Sequence, residues 1–107
     1  MKPQQYDIVM VNLDPTIGRE IKKTRPFAIL SPNELNRNLQ TIIIAPITST
    51  SKPYPSRVRT TSIKPQGWLA LEQLRCIDKS RIIKKMASLS EEEICSCKRI
   101  LEELLVL

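Results

Sequence analysis

The chain has 107 residues, 41% of them hydrophobic, and a formal net charge of +6. One domain of this length buries roughly two-thirds of its unfolded surface, and the composition argues against extensive disorder. No run approaches the ~18 apolar residues of a membrane span and no signal-peptide pattern is present, so we expect one cytoplasmic domain over residues 1–107, without a membrane association.

Two apolar runs separated by a basic segment open the chain. Residues 6–13 predict a strand that ends at an Asp14-Pro15 turn, and residues 27–30 predict a second strand. The segment between them is expected to be a loop whose last cation, Arg25, lies where the second strand begins. Because Pro26 pushes Arg25 toward extended geometry, its guanidinium suits a phosphate, although a merely solvated basic loop is the alternative.

The middle of the chain predicts short strands and turns. Residues 31–37 predict a helical turn with Ser31 as N-cap, and residues 41–45 predict a central strand that Pro46 ends or places at an edge. Residues 49–57 predict a polar loop. Exposed residues 58–63 and residues 68–74 predict further strands, whereas residues 82–86 are ambiguous. About five short strands favour a curled antiparallel sheet or small barrel.

The C-terminal segment predicts a helix. Ser90 and Glu93 match a capping box. An apolar stripe follows, which must pack on the sheet or on another subunit; it comprises Ile94, Cys97, Leu101, Leu104 and Leu105.

Cysteine and histidine usage argues against a metal site. The three cysteines, Cys76, Cys95 and Cys97, cannot form a complete set of intrachain disulfides, and the chain has no histidine, the commonest zinc partner. We therefore expect no metal, and interpret the cysteines as small apolar fillers in a reducing compartment.

The positive charge is concentrated in one part of the chain. Residues 51–85 contain nine lysines and arginines against Glu72 and Asp78, whereas residues 86–107 contain two cations against five glutamates. Such asymmetry is typical of a polyanion site, although it also fits a soluble surface without a partner. We favour a nucleic acid as the partner of this positive surface.

Three blocks of sequence, taken in order, resemble the MazF/PemK (Kid) toxins, which are ribosome-independent mRNA interferases. The blocks are Asp14-Pro15-Thr16-x-Gly18-x-Glu20-x₄-Arg25-Pro26, then Ala45-Pro46-Ile47-Thr48-Ser49-Thr50, and Leu71-Glu72-Gln73-Leu74-Arg75-Cys76 with the residues up to Arg81. Ser31-Pro32 and Asn36-Arg37 also fit.

The resemblance implies a fold, an activity and partners. The fold is an SH3-like or CcdB-like antiparallel β-barrel with a C-terminal helix, assembled as a homodimer. The activity is sequence-specific cleavage of single-stranded RNA without a metal or other cofactor. The partner is a MazE-like antitoxin whose acidic tail suits the positive charge of residues 51–85.

The resemblance also places catalytic residues. Arg25 and Thr48 match directly, and Glu20 matches an acidic position of the first loop. Position 19 is Arg, where some relatives carry histidine or serine. The Arg-x-Asp pair of Kid-like members reads Ala70 and Glu72 here, so that assignment does not transfer whole.

Metal-free cleavage needs a base, a charge stabiliser and an acid around the attacking 2′-hydroxyl. Arginine is never deprotonated in proteins, so Arg25 is interpreted as the stabiliser. Glu20 is the first choice for general base and Glu72 the second. Thr48 is either a hydrogen-bond donor to the phosphate or a strand-end threonine satisfying nearby backbone.

The remaining candidates are predicted to bind RNA. Tyr54 is the candidate for base stacking, whereas Tyr6 and Phe27 are expected in the core. Phosphate contacts are expected from Arg19, Lys22, Arg57 and Arg59, and base-edge contacts from Ser49 and Gln73, with Glu72 beside them. A non-catalytic nucleic-acid-binding module and a CcdB-like gyrase poison are the alternative functions.

Overall fold

The computed structural model describes residues 2–13 and 24–106. Its elements are, in chain order, β1 (Asp7–Asn12), β2 (Thr24–Ile29), α1 (Asn33–Asn38), β3 (Thr41–Thr48), β4 (Arg57–Thr60), β5 (Gly67–Ala70), β6 (Arg75–Asp78), β7 (Ile82–Ser88) and α2 (Glu91–Leu105). Short 3-10 helices follow β5 at Leu71–Gln73 and β6 at Lys79–Arg81. The predicted turn at Asp14-Pro15 and the basic residues Lys22 and Lys23 lie outside the described residues.

The strands form one antiparallel sheet, which confirms the mainly β fold with a C-terminal helix. Pairing runs in the order β4-β5-β3-β2-β1-β7, and β6 pairs with the first half of β3. Among the described strands this path is open, with β4 and β7 at its ends, rather than a closed ring. The described residues form seven strands rather than the expected five, because the ambiguous residues 82–86 belong to β7 and because β6 has no counterpart among the predicted elements. Residues 68–74 do not form one strand but divide into β5 and a 3-10 helix.

Pro46 lies inside β3, whereas we predicted it at the strand's end or at an edge. It pairs with Phe27 of β2. On the other side of β3, the pairing with β6 ends at Ile44 and the pairing with β5 begins at Ile47. Pro46 falls in the gap between those two partners, where a missing N–H costs no ladder bond. The strand therefore continues to Thr48.

Both faces of the central strands are buried. One cluster packs between the sheet and α2 and includes Ile8, Ala28, Leu69, Cys97 and Ile100. The other lies on the opposite face and includes Val9, Val11, Phe27, Ile29 and Ile44. Successive residues of β1 enter different clusters, which explains its nearly continuous apolar sequence. Phe27 is in the core, as predicted, and Tyr6 is half-buried against the first cluster.

The helix ends differ in how well local sequence predicts them. The capping box of α2 is confirmed: Ser90 Oγ accepts a hydrogen bond from the Glu93 N–H, and Glu93 Oε1 accepts one from the Ser90 N–H. The Ser31 N-cap is wrong, because α1 begins after Pro32 and the Ser31 hydroxyl instead donates to Asn36 Oδ1.

The apolar stripe of α2 is only partly buried on the sheet. Cys97 is fully buried, and Ile94 and Leu101 pack against the same cluster, but Leu104 and Leu105 are 43% and 65% exposed. Cys76 and Cys95 are also exposed, so only Cys97 is the apolar filler that we predicted.

The strand predicted over residues 58–63 is shorter in the structure, where β4 ends at Thr60, and Val58 and Thr60 are buried rather than exposed. No helix among the described residues is long and apolar enough to cross a bilayer.

Candidate functional site

A concavity of about 260 Å³ lies where β2, the end of β3 and the segment before β5 meet. Three predicted site residues, Arg25, Thr48 and Ser49, line it. The other lining residues are Met10, Pro26, Ile47, Ile63, Lys64, Pro65, Gln66, Gly67 and Met86. Residues of the first two sequence blocks thus meet on one surface, whereas the third block, residues 71–81, does not line it.

Strand pairing places Arg25 inside β2, so the prediction that it ends a loop is wrong. The pairing of β1 with β2 extends to Thr24, so Arg25 lies opposite Val11 and Pro26 opposite Met10. The local sequence does not predict this extension of β2, because the basic residues before Pro26 have no strand pattern and the extension depends on pairing with β1. The Arg25 side chain is exposed, and no salt bridge to it is found within residues 2–13 and 24–106. Its charge is therefore available at the rim of the concavity.

Thr48 reaches the same place along β3. The pairing of β2 with β3 extends to Phe27 opposite Pro46. Arg25 and Thr48 each lie two residues beyond that pair on their own strand, and both line the concavity. The Thr48 hydroxyl lies 3.1 Å from the Thr50 carbonyl oxygen and 3.4 Å from that of Trp68. Its single proton satisfies one of these carbonyls, so it must rotate before it can donate to a phosphate.

Gly67 permits the close approach that fixes Thr48. It is buried at the start of β5, and a Cβ built there would lie 2.6 Å from the Thr48 carbonyl oxygen and 2.7 Å from Ile47 Cγ2. Only glycine leaves room for β5 to pair with β3 at this point.

The segment between β4 and β5 supplies lining residues that sequence reasoning missed. Lys64 and Gln66 are exposed and line the concavity. Arg59 of β4 donates a hydrogen bond to Gln66 Oε1 at 2.8 Å, and its guanidinium lies 5.1 Å from the centroid of the Trp68 ring. The run Lys64-Pro65-Gln66-Gly67, a cation followed by turn residues, was the available signal.

A second cluster forms around Glu72 and includes several predicted RNA-binding residues. Arg57 donates to the Glu72 carboxylate through Nε and Nη2, and the Ser56 hydroxyl donates to Oε1 at 2.6 Å. The Gln73 amide lies 3.4 Å from Oε2. Tyr54 is 49% exposed, with the Arg57 guanidinium 5.2 Å from its ring centroid.

The ion pair changes the chemistry available to Glu72. The hydrogen bond from Arg57, aided by Ser56, lowers the pKa of Glu72 to about 2. A carboxylate with so low a pKa is a poor general base near neutrality. Ala70, the other position of the Kid-like pair, is buried in the core.

The predicted site residues therefore fall into separate groups. Arg25, Thr48 and Ser49 share the concavity, Arg59 contacts its wall, and Tyr54, Arg57, Glu72 and Gln73 surround the ion pair. Glu20, Arg19 and Lys22 lie outside the described residues. Within the part of the chain that the structure describes, no group of histidine, cysteine, aspartate and glutamate residues is arranged to hold a metal.

The fold and the sequence match one family of proteins. A family model for the PemK-like, MazF-like toxins of type II toxin–antitoxin systems matches residues 4–105. The chain belongs to this family. Among curated MazF proteins, it is 30% identical over 93 residues to the endoribonuclease toxin MazF of Escherichia coli K12, covering 86% of this chain and 84% of that protein. It is 28% identical to the endoribonuclease MazF of Staphylococcus epidermidis, covering 90% and 85%.

Solved MazF structures share the whole fold. A MazE–MazF complex from Deinococcus radiodurans superposes with a TM-score of 0.84 at 25% identity, covering 98% of this chain and 97% of that one. MazF alone from the same organism superposes with a TM-score of 0.82 at 26% identity, covering 100% and 99%. The open, curled sheet with its C-terminal helix is thus the MazF fold.

Proposed function

We propose that this MazF/PemK toxin is an endoribonuclease that cleaves single-stranded RNA at short sequence motifs, without a ribosome or a metal. The observation that carries the proposal is the exposed guanidinium of Arg25 at the rim of a concavity that Thr48 also lines. The names of the curated MazF relatives support the activity.

The nucleophile in this mechanism comes from the substrate. The ribose 2′-hydroxyl loses its proton to a base and attacks the adjacent phosphorus, the bond to the 5′-oxygen breaks, and that oxygen takes up a proton. The products are a 2′,3′-cyclic phosphate and a 5′-hydroxyl. Arg25 stabilises the extra negative charge of the pentacoordinate phosphorus, and such a donor is worth about 3–4 kcal/mol of barrier. Thr48 adds a hydrogen bond to the same phosphate.

Other residues of the chain take the remaining proposed roles. Glu20 is the proposed general base. Tyr54 stacks on a base, and the proposed phosphate contacts come from Arg19, Lys22, Arg57 and Arg59. Ser49 and Gln73 read base edges, with Glu72 holding Arg57 in place.

The proposed partners follow from charge. The protein works as a cytoplasmic homodimer, and a MazE-like antitoxin covers the RNA site with an acidic tail. Residues 51–85, with nine cations and two acidic residues, provide the complementary charge. The MazE–MazF complex of Deinococcus radiodurans supports a partner of this kind.

The test incubates purified protein with end-labelled single-stranded RNA in the presence of EDTA. Cleavage at discrete sites with 5′-hydroxyl ends is expected, and a single 2′-deoxy substitution at the cleaved position should block it. RNA that is shifted but intact would favour a binding module instead. Inhibition of DNA supercoiling by gyrase with intact RNA would favour a gyrase poison.

A further inference from the structure

Glu93 makes more contacts than a helix cap requires. It is 6% exposed in the first turn of α2, and its Oε1 accepts the capping bond from the Ser90 N–H at 2.9 Å. The same oxygen accepts a bond from the Ser62 hydroxyl at 2.5 Å, and Oε2 accepts one from the Thr61 N–H at 2.8 Å. Two of its three closest donors therefore belong to a segment about thirty residues earlier in the chain.

That segment forms part of the wall of the concavity. Residues 61–66 follow β4 and precede β5, outside any strand or helix. Glu93 binds the first two residues, and the next four, Ile63 to Gln66, line the concavity with Arg25 and Thr48. The far end of the segment is fixed where Gly67 enters β5. Glu93 is thus the anchor at its near end.

Glu93 is also held in the charged form that such an anchor needs. Burial alone would raise its pKa, but the hydrogen bonds from Ser62, Ser90 and Thr61 outweigh burial and lower the pKa. A buried carboxylate with all its donors in place fixes their positions closely, because losing any one donor leaves charge unpaired.

We propose that Glu93 is a positioning residue for the RNA site, which holds the wall formed by residues 63–66 at the distance from Arg25 that the substrate requires. The proposal rests on the nuclease function proposed above. Glu93 itself touches neither the concavity nor the reacting atoms, so it acts through Thr61 and Ser62.

Three variants separate wall positioning from helix capping. Glu93→Gln keeps the shape of the side chain but replaces one carboxylate oxygen by an NH₂ group. That donor then faces the N–H of either Thr61 or Ser90, where an acceptor is needed. Ser62→Ala removes one contact from the wall side only. Ser90→Ala is the matched control, since it removes the acceptor of the Glu93 N–H and leaves the carboxylate contacts to Thr61 and Ser62 intact.

Two measurements then test the proposal. Amide hydrogen exchange of residues 61–64 and 66 should be about tenfold faster in Glu93→Gln and Ser62→Ala than in Ser90→Ala. The KM for a single-stranded RNA should rise about tenfold in the same two variants, because small displacements far from the chemistry weaken substrate positioning, while kcat changes less and Ser90→Ala stays near wild type.

The outcomes are distinguishable from failure of the nuclease proposal. Equal exchange and equal KM in Glu93→Gln and Ser90→Ala would overturn the proposal and leave Glu93 as a helix cap. If the wild type cleaves no RNA, the nuclease function fails, and the exchange comparison still decides whether Glu93 holds the wall. If Glu93→Gln does not fold, Ser62→Ala decides, because it removes a single hydrogen bond.

Discussion

Arg57 and Glu72 form an ion pair across the base of the loop between β3 and β4, with Nη2 2.5 Å from Oε2. The guanidinium also donates to Ser51 Oγ at 2.6 Å, and the carboxylate accepts from Ser56 at 2.6 Å. Both ends of residues 51–56 are therefore attached to the same pair. Because this loop begins directly after Thr48 and includes Ser49, which lines the concavity, the pair helps to shape the approach to the concavity.

Replacing Glu72 by glutamine should remove a pH-dependent part of the stability. The pKa of Glu72 is lowered from 4.5 to about 2, so its contribution is fully present above pH 4.5 and is lost as the pH falls toward 2. We expect wild type to exceed Glu72→Gln by about 1 kcal/mol in free energy of unfolding near neutral pH, the upper range for a partly exposed pair.

Urea unfolding near neutral pH and at about pH 3 measures this difference. Glu102→Gln, which removes the same charge from an exposed position on α2, is the control and should show little difference at either pH. A stability difference for Glu72→Gln that stays constant across this range would contradict the assignment.

Replacing Arg25 by alanine should leave the fold intact and nearly abolish RNA cleavage. The side chain is exposed, so little packing is lost, whereas removal of one oxyanion donor costs about 100- to 1000-fold in kcat. Arg25→Lys should recover only part of the activity, because a point charge does not replace the two-pronged guanidinium.

Arg37→Ala is the matched control for Arg25, since Arg37 is exposed on α1 and does not line the concavity. Circular dichroism and single-turnover cleavage of one RNA measure both variants. Full activity in Arg25→Ala would refute its role as charge stabiliser.

Replacing Gly67 by alanine should displace Thr48. The added methyl group meets the Thr48 carbonyl oxygen, which belongs to the backbone and cannot turn aside. We expect a loss of about 1–3 kcal/mol in stability from overpacking, together with a lower kcat.

Ile77→Val provides the comparison. It should lower the free energy of unfolding by about 0.5–1.5 kcal/mol, and Ile77 lies in the core cluster on the sheet face opposite α2, away from the concavity. Thermal unfolding and cleavage are measured for both variants below their transitions. If Gly67→Ala and Ile77→Val retained the same activity, β5 would have no part in placing Thr48.

Features fixed by neighbouring residues were predictable, whereas features fixed by distant ones were not. The capping box of α2 is local, and the apolar runs of β1 and β3 are long enough to stand out. Strand β6 escaped prediction because only Ile77 of its four residues is buried, and its partner β3 lies more than thirty residues earlier.

The candidate site divides in the same way. Arg25, Thr48 and Ser49 were found together because motif blocks marked them, and the structure brings them to one concavity. The contact of Glu93 with Thr61 spans 32 residues, so the sequence showed only its capping role. The partnership of Arg57 with Glu72 likewise depends on β4 pairing with β5.

Thr48 offers the sharpest test of substrate chemistry, because its hydroxyl already has a backbone partner in the Thr50 carbonyl. If that bond is its whole purpose, Thr48→Val lowers stability and leaves cleavage unchanged. If the hydroxyl turns to the phosphate, Thr48→Val lowers kcat/KM by about 10- to 100-fold, since a hydrogen bond to a charged group is worth about 1.5–3 kcal/mol. Thr48→Ser keeps the hydroxyl and should retain most activity. Comparing unfolding and cleavage in both variants decides between these roles, and we expect the loss to fall on cleavage.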